Sequence, residues 1–193
     1  MKLVFATNNL HKLEEVQALL KNNIQLLSLA DIGCKEELPE TGNTIEANAK
    51  QKAEYIFNKY HLECFADDTG LEIDALNGKP GVYSARYAGE EKSAEKNIEK
   101  ALEEMKKVKN RTALFKSVIS LIYKNKSILF EGIVEGEILK GLRGTNGFGY
   151  DPIFQPKGAS KTFAEMTLEE KNKISHRAIA VKKLVTFLNE FKS

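Results

Sequence analysis

Cysteine is scarce in this 193-residue chain: Cys34 and Cys64 are the only two. That is too few for the disulfide framework that holds small secreted domains together, and no Cys or His pair has zinc-binding spacing. Both thiols are expected to be buried. Long apolar runs are also missing. The start, MKLVFATNNLHK, has an uninterrupted apolar stretch only from Leu3 to Ala6, too short for a signal peptide or a membrane span. A cytoplasmic protein without a membrane partner is therefore expected. An excess of one charge sign is lacking too. A formal net charge of +2 does not give the basic footprint of a dedicated nucleic-acid binder, so no nucleic acid is expected as partner and any anionic ligand should be small. Three motifs are absent: the GxxxxGK[ST] phosphate loop, GxGxxG after a strand, and the G-x-S-x-G elbow. P-loop NTPases, dinucleotide binders and serine hydrolases of the elbow type are thereby disfavoured.

What is present fits an ordinary globular chain. The 42% hydrophobic and 29% charged content lies well outside the regime of disorder. Residues 1–193 are expected to form a single domain, a length that two lobes sharing one core would also fit. Lys2 to Ala6 read as a buried strand, and His11 to Lys21 as an amphipathic helix presenting Leu13, Val16 and Leu20. Asn43 to Tyr60 predict a second helix with Ile45, Ala49, Ala53 and Ile56 inward. Cys64 to Ala66 and Leu71 to Ala75 read as two short strands flanking an acidic turn, Asp67-Asp68-Thr69-Gly70. The stretch from Asn77 to Gly89 predicts a loop, followed by a charged helix from about Ser93 to Lys107. Thr112 to Tyr123 and Ser127 to Leu139, joined by Lys124-Asn125-Lys126, predict a hairpin. Gly141 to Pro152 holds four glycines in twelve residues, too many for a regular element. Thr167-x-x-Glu170 has the form of a helix capping box, and a last helix after Ser175 should carry Ile179, Leu184, Leu188 and Phe191 inward. This order of elements argues for an α/β fold with a mixed sheet.

Four segments carry residues suited to chemistry. TNNLHK (Thr7 to Lys12) stands between a strand and a helix N-terminus, where backbone N–H groups and the helix dipole attract anions. Glu40, Asp67 and Asp68 offer the oxygen ligands magnesium prefers, and a spare carboxylate can act as general base. GTNGFGYDP (Gly144 to Pro152) sets Phe148 between glycines, where it can stack on a base while Asp151 reads the base edge. Lys171 and Ser175-His176-Arg177 place donors at a helix start, suited to a purine carbonyl oxygen. Each segment alone also has a plain structural reading: a helix cap, a solvated turn, a core phenylalanine, an exposed helix start.

Taken together and in order, TNNLHK, ETGNTIEANAKQKA, ADDTGLEIDALNGKPGVYSARYAG, GTNGFGYDPIF and LEEKNKISHRAIA closely resemble the inosine triphosphate pyrophosphatase family, from Lys2 to about Leu188. The resemblance implies an elongated α/β protein with a central mixed sheet flanked by helices, two lobes with a cleft between them, and a homodimer. It implies hydrolysis of noncanonical purine nucleoside triphosphates (ITP, dITP, XTP) to the monophosphate and pyrophosphate, with Mg2+ as cofactor. By matching position, Thr7, Asn8, Asn9, Lys12, Lys52 and Thr69 hold the triphosphate. Glu40 and Asp68 serve the metal. Asp68 is the general base with Asp67 in support, and Lys12 and Lys52 assist catalysis. Phe148, Gly149, Tyr150, Asp151, Lys171, His176 and Arg177 form the base pocket. Thr69 stands where serine is common in the family, a change that keeps the hydroxyl. A Maf-like pyrophosphatase and a non-catalytic nucleotide-binding module are the rival readings.

Overall fold

The structure, a computed structural model, describes residues 1–20 and 24–190. Lys21 and Phe191, expected at the end of the first helix and inside the last, lie outside the described residues. In chain order the elements are β1 (Lys2–Phe5), α1 (Leu10–Leu19), β2 (Gln25–Leu27), α2 (Ile45–Tyr60), β3 (Cys64–Ile73), β4 (Lys79–Pro80), α3 (Ala94–Glu104), β5 (Thr112–Tyr123), β6 (Lys126–Ile138), β7 (Phe154–Pro156), α4 (Leu168–Ile174) and α5 (His176–Glu190). The strand order is β2-β1-β3-β5-β6-β7, with β4 paired to β3. β1 pairs parallel with β2 and β3, whereas β4 on β3 and β7 on β6 are antiparallel, so the sheet is mixed.

Local chemistry sets the helix starts that matter to the site. Asn9 caps α1 by accepting from the Lys12 N–H at 3.2 Å, and Thr44 caps α2 by accepting from Ala47 at 3.1 Å. These side-chain oxygens satisfy N–H groups that the first helical turn leaves without a partner. The box at Thr167 is complete: its hydroxyl accepts from the Glu170 N–H at 3.2 Å, and the Glu170 carboxylate accepts from the Thr167 N–H at 2.8 Å. β5 and β6 are joined through Lys124 and Asn125, both at positive φ (49° and 58°), the backbone a type I′ hairpin turn demands.

One expectation is overturned. Asp67-Asp68-Thr69-Gly70 is not a turn between two strands but the middle of the single ten-residue strand β3. The turn-like composition is overridden because both carboxylates find cationic partners on neighbouring helices. Ala75 falls instead in a 3-10 turn, Asp74–Leu76, and much of the expected loop after Asn77 is another, Gly81–Arg86.

The chain divides into two compact units, one comprising Met1–Asp68, Ser117–Gly132 and Arg177–Ser193, the other Thr69–Lys116 and Ile133–His176. In the first unit, side chains on β1 and β3 alternate between two covered faces, as a strand buried on both sides requires. Leu3, Phe5 and Phe65 pack with Val16 of α1 and Ala180 and Leu184 of α5. Val4, Ala6, Cys64 and Ala66 pack with Ala53 and Ile56 of α2. Cys34 and Cys64 are buried free thiols, and burial pushes the Cys64 thiol up to about 12. The second unit closes over Leu71, Ile98, Met105, Phe115, Phe154 and Phe163. No helix among the described residues is long and apolar enough to cross a membrane.

The β6–β7 pair tolerates no side chain at Gly136. A Cβ there would sit 2.4 Å from the Gln155 carbonyl oxygen and 2.6 Å from the Phe154 ring. Gly136→Ala is expected to lose about 1–3 kcal/mol, the usual cost of overpacking. Urea denaturation should show a lower midpoint with an unchanged slope.

Candidate active site

In the first unit, successive residues of β3 send their carboxylates to opposite faces. Asp67 points toward α1 and α5, where it is 1% exposed. Lys12 Nζ donates to its Oδ1 at 3.0 Å and Arg177 Nε donates to its Oδ2 at 3.0 Å. Arg177, also 1% exposed, donates through Nη1 to Glu15 of α1 as well. Burial alone would raise the Asp67 pKa, but Lys12 and Arg177 overcome it and hold the carboxyl well below its usual range. Burial lowers the Lys12 pKa despite Asp67, whereas the two carboxylates raise that of Arg177 against burial.

Asp68 points the other way, onto α2. Lys52 Nζ donates to its Oδ1 and Asn48 Nδ2 to its Oδ2, each at 3.3 Å. Burial dominates here and raises the Asp68 pKa in spite of Lys52 and Lys12. Lys52 also donates to Glu40, whose pKa is lowered because Lys52 outweighs burial. Lys52 itself is raised by Asp68 and Glu40 against burial. Two neighbouring carboxyls are thus driven apart, Asp67 held ionised by its two cations and Asp68 raised by burial.

Glu40 and Asp68 converge on one ammonium, so they also fit a divalent cation. Among the described residues there is no cluster of three or more His, Cys, Asp or Glu side chains suited to a metal. Glu40 and Asp68 are the two carboxylates that could hold a divalent cation such as magnesium, which usually completes its shell with phosphate oxygens and water. At the start of α1, Thr7 Oγ1 accepts from the Asn9 N–H at 3.2 Å. Asn8 has a tethering role: its amide bonds the Glu36 carbonyl and the Leu38 N–H, both at 3.4 Å.

The second unit gathers the aromatic residues. Lys171 Nζ donates to Asp151 Oδ2 at 2.6 Å, and the same oxygen accepts from the Phe148 N–H at 2.9 Å. Gly147 has φ +73°, and a Cβ there would meet Asp151 Oδ2 at 2.1 Å, so the loop can wrap this carboxylate only with glycine at that point. The Lys171 ammonium lies 5.0 Å from the Phe148 ring centroid and 5.5 Å from that of Phe163, within cation–π range. His176 stacks on Phe115 at 4.6 Å, and the Tyr150 hydroxyl donates to the Ser84 carbonyl at 2.9 Å.

The structure therefore joins Lys12, Asp67 and Arg177 in one cluster, Glu40, Lys52 and Asp68 in a second, and Phe148, Asp151 and Lys171 in a third. Arg177, expected with the base-binding donors, is engaged by Asp67 and Glu15. Two contributors escaped the sequence reading. Glu15 follows Lys12 by one helical turn between the apolar Leu13 and Val16, a buried-acid signal in an otherwise amphipathic helix. Asn48 interrupts the apolar stripe of α2.

Comparison with known proteins identifies the family. The model of the Ham1 family matches residues 3–187, and the chain belongs to that family. A dITP/XTP pyrophosphatase of Christiangramia forsetii is 58% identical over 98% of this chain and all of its own length. Another from Flavobacterium johnsoniae is 56% identical over the whole of both chains. Among solved structures, the Ham1 protein of Staphylococcus aureus superposes with a TM-score of 0.89 at 41% identity, covering 98% of this chain and 99% of its own. That of Coxiella burnetii gives 0.90 at 39%, with the same coverage.

The two acids should leave opposite signatures in stability. Asp67, with its folded pKa depressed, stabilises the fold fully above about pH 4, the unfolded carboxylate value, and this contribution is lost as pH falls below it. Between pH 5 and 2 the wild type should lose stability more steeply than Asp67→Asn; parallel curves would refute the assignment. Asp68, with its folded pKa raised, opposes folding while ionised, so Asp68→Asn should unfold at or above the wild-type temperature at pH 7. Arg177→Met leaves two buried carboxylates without their shared cation and should cost roughly 3–5 kcal/mol in denaturant titrations.

Proposed function

We propose that this chain is a magnesium-dependent pyrophosphatase of noncanonical purine nucleoside triphosphates, converting ITP, dITP and XTP to the monophosphate and pyrophosphate. The observation that carries this reading is the divided acid pair of β3, in which Asp67 is held between Lys12 and Arg177 while Asp68 turns to the other face, beside Glu40, Lys52 and Asn48. The names of the full-length relatives supply the substrate class.

Asp68 accepts the proton of a water that attacks the α-phosphorus, the bond to the bridging oxygen breaks, and pyrophosphate departs. Lys12 and Lys52 stabilise the charge that develops on the departing oxygens. Thr7, Asn8, Asn9 and Thr69, with the N-terminal turn of α1, bind the phosphates. Glu40 and Asp68 would hold the magnesium ion, which when bound supplies charge neutralisation and alignment of the phosphate chain.

Phe148, Gly149, Tyr150, Asp151, Lys171, His176 and Arg177 receive the base. Hypoxanthine and xanthine present an oxygen acceptor at the six position where adenine presents an amino donor. A donor from His176 would go unmatched against adenine, at about 1–3 kcal/mol, or roughly ten- to a hundredfold in selectivity, while Arg177 stays engaged by Asp67 and Glu15. Rejection of GTP is assigned to an unmet donor or clash at the two position. Residues 1–193 act as one cytoplasmic domain and assemble as a homodimer. Tyr83, an exposed aromatic with Arg86 stacked 5.3 Å above its ring, is a contact suited to a second copy.

Two measurements test this reading. Pyrophosphate and phosphate release are followed from ITP, dITP, XTP, GTP and ATP, each with magnesium and with a chelator. Magnesium-dependent pyrophosphate from the first three, with little from the last two, is expected, and Asp68→Asn should slow it by about two to four orders of magnitude. Phosphate as product would place the cleaved bond elsewhere, and equal rates on GTP and XTP would remove the two-position account. Sedimentation equilibrium should give twice the 21.6 kDa chain mass; a monomer at micromolar concentration contradicts the dimer.

A further inference from the structure

Asparagine is one of the few side chains that carries a donor and an acceptor on one planar group, and Asn48 uses both. It is 1% exposed on α2. Its Oδ1 accepts from the Gly42 N–H at 2.8 Å. Because a backbone N–H can only donate, that bond fixes the orientation of the amide and turns Nδ2 to Asp68 Oδ2, at 3.3 Å. Lys52, one turn further along α2, holds the other oxygen of Asp68 at 3.3 Å and also holds Glu40. Both carboxylate oxygens of Asp68 are therefore tied to one helix face, which fixes the plane of the group.

The Glu40-Thr41-Gly42 segment is tied to the same face. Gln51 accepts from the Thr41 N–H at 2.9 Å and donates to Thr41 Oγ1 at 2.8 Å. Gly42 lies so close to α2 that a Cβ there would be 2.7 Å from the Ala47 Cβ and 2.9 Å from Asn48 Oδ1. One side-chain amide thus connects the backbone two residues after Glu40 with the carboxylate of Asp68.

We propose that Asn48 is a positioning residue for the hydrolysis: its amide aligns the Asp68 carboxylate for proton abstraction and keeps it in register with Glu40. This rests on the pyrophosphatase reading above. Asn48→Asp separates the two halves of the role at alkaline pH, where both carboxyls are ionised and the new one accepts from Gly42 but cannot donate to Asp68; at lower pH a shared proton would restore that bond. Asn48→Ala removes both bonds and adds no charge.

The test is steady-state pyrophosphate release from dITP at alkaline pH by the full-length wild type and both variants, alongside thermal unfolding. A misaligned reacting group costs roughly a hundredfold. For Asn48→Asp, kcat is expected to fall by about ten- to a hundredfold with KM nearly unchanged, and Asn48→Ala should fall likewise. A role confined to anchoring Gly42 gives the reverse: Asn48→Asp within twofold of the wild-type kcat, with loss of stability confined to Asn48→Ala. That outcome overturns the proposal, as does a rise in KM at constant kcat in whichever variant folds. If the wild type itself releases no pyrophosphate from dITP, the activity reading fails, and this inference fails with it.

Discussion

A carboxylate sealed from water inside a sheet must be met by cations, and much of the first unit is arranged around meeting Asp67. An unpaired buried charge costs far more than one packed side chain returns. Lys12, separated from it by 55 positions, and Arg177, separated by 110, supply two cations; Arg177 in turn requires Glu15, 162 positions away. β3, α1 and α5 are thus held together by directional charge-assisted bonds as well as by the apolar contacts of Phe5, Phe65 and Leu184. Apolar packing fixes distances between such elements loosely. The fork of an arginine bonded on two edges fixes angles as well.

The alternation of a strand explains why this cluster produces two unlike acids. Phe65 and Asp67 share one face of β3, and Cys64, Ala66 and Asp68 share the other. A one-residue step along the chain therefore moves a carboxylate from the environment of Arg177 to that of Asn48 and Lys52, without any change of backbone conformation. A turn at Asp67-Asp68, the conformation suggested by composition, would leave both carboxylates solvated and nearly equivalent. The strand makes them different.

The sequence made the periodic elements legible and hid those decided at long range. α2, α3, α5 and the β5–β6 hairpin are visible because apolar spacing, caps and turn residues agree with the fold. β3 looks broken in the sequence because Asp, Thr and Gly are turn formers, a local preference that yields once Lys12, Arg177, Asn48 and Lys52 arrive. β2 and β7 have three residues each, too few to show alternation. For the candidate site, the sequence singles out most of the residues that form the charged clusters but does not show how they pair. Nothing near Asp67 in the chain says that Arg177 will bind it, and nothing near Lys171 says that Asp151 will. The position of Glu15 beside Val16 marks it as a buried acid, but nothing near it says that Arg177 is its partner.

The count of charges around β3 also constrains the chemistry. In this cluster, the carboxylates of Glu15, Glu40, Asp67 and Asp68 meet three cations, Lys12, Lys52 and Arg177, leaving one negative charge in excess in a poorly solvated place. The excess is not shared evenly. Asp67 has two cationic partners and Glu15 is bonded to Arg177, whereas Asp68 and Glu40 divide Lys52, and it is Asp68 whose pKa rises. A bare triphosphate would meet repulsion at that point. A divalent cation would turn the excess of one negative charge into one positive charge, which would attract the phosphate chain. On the pyrophosphatase reading proposed above, metal and nucleotide therefore bind cooperatively at this cluster, because each would remove the electrostatic penalty the other would face alone.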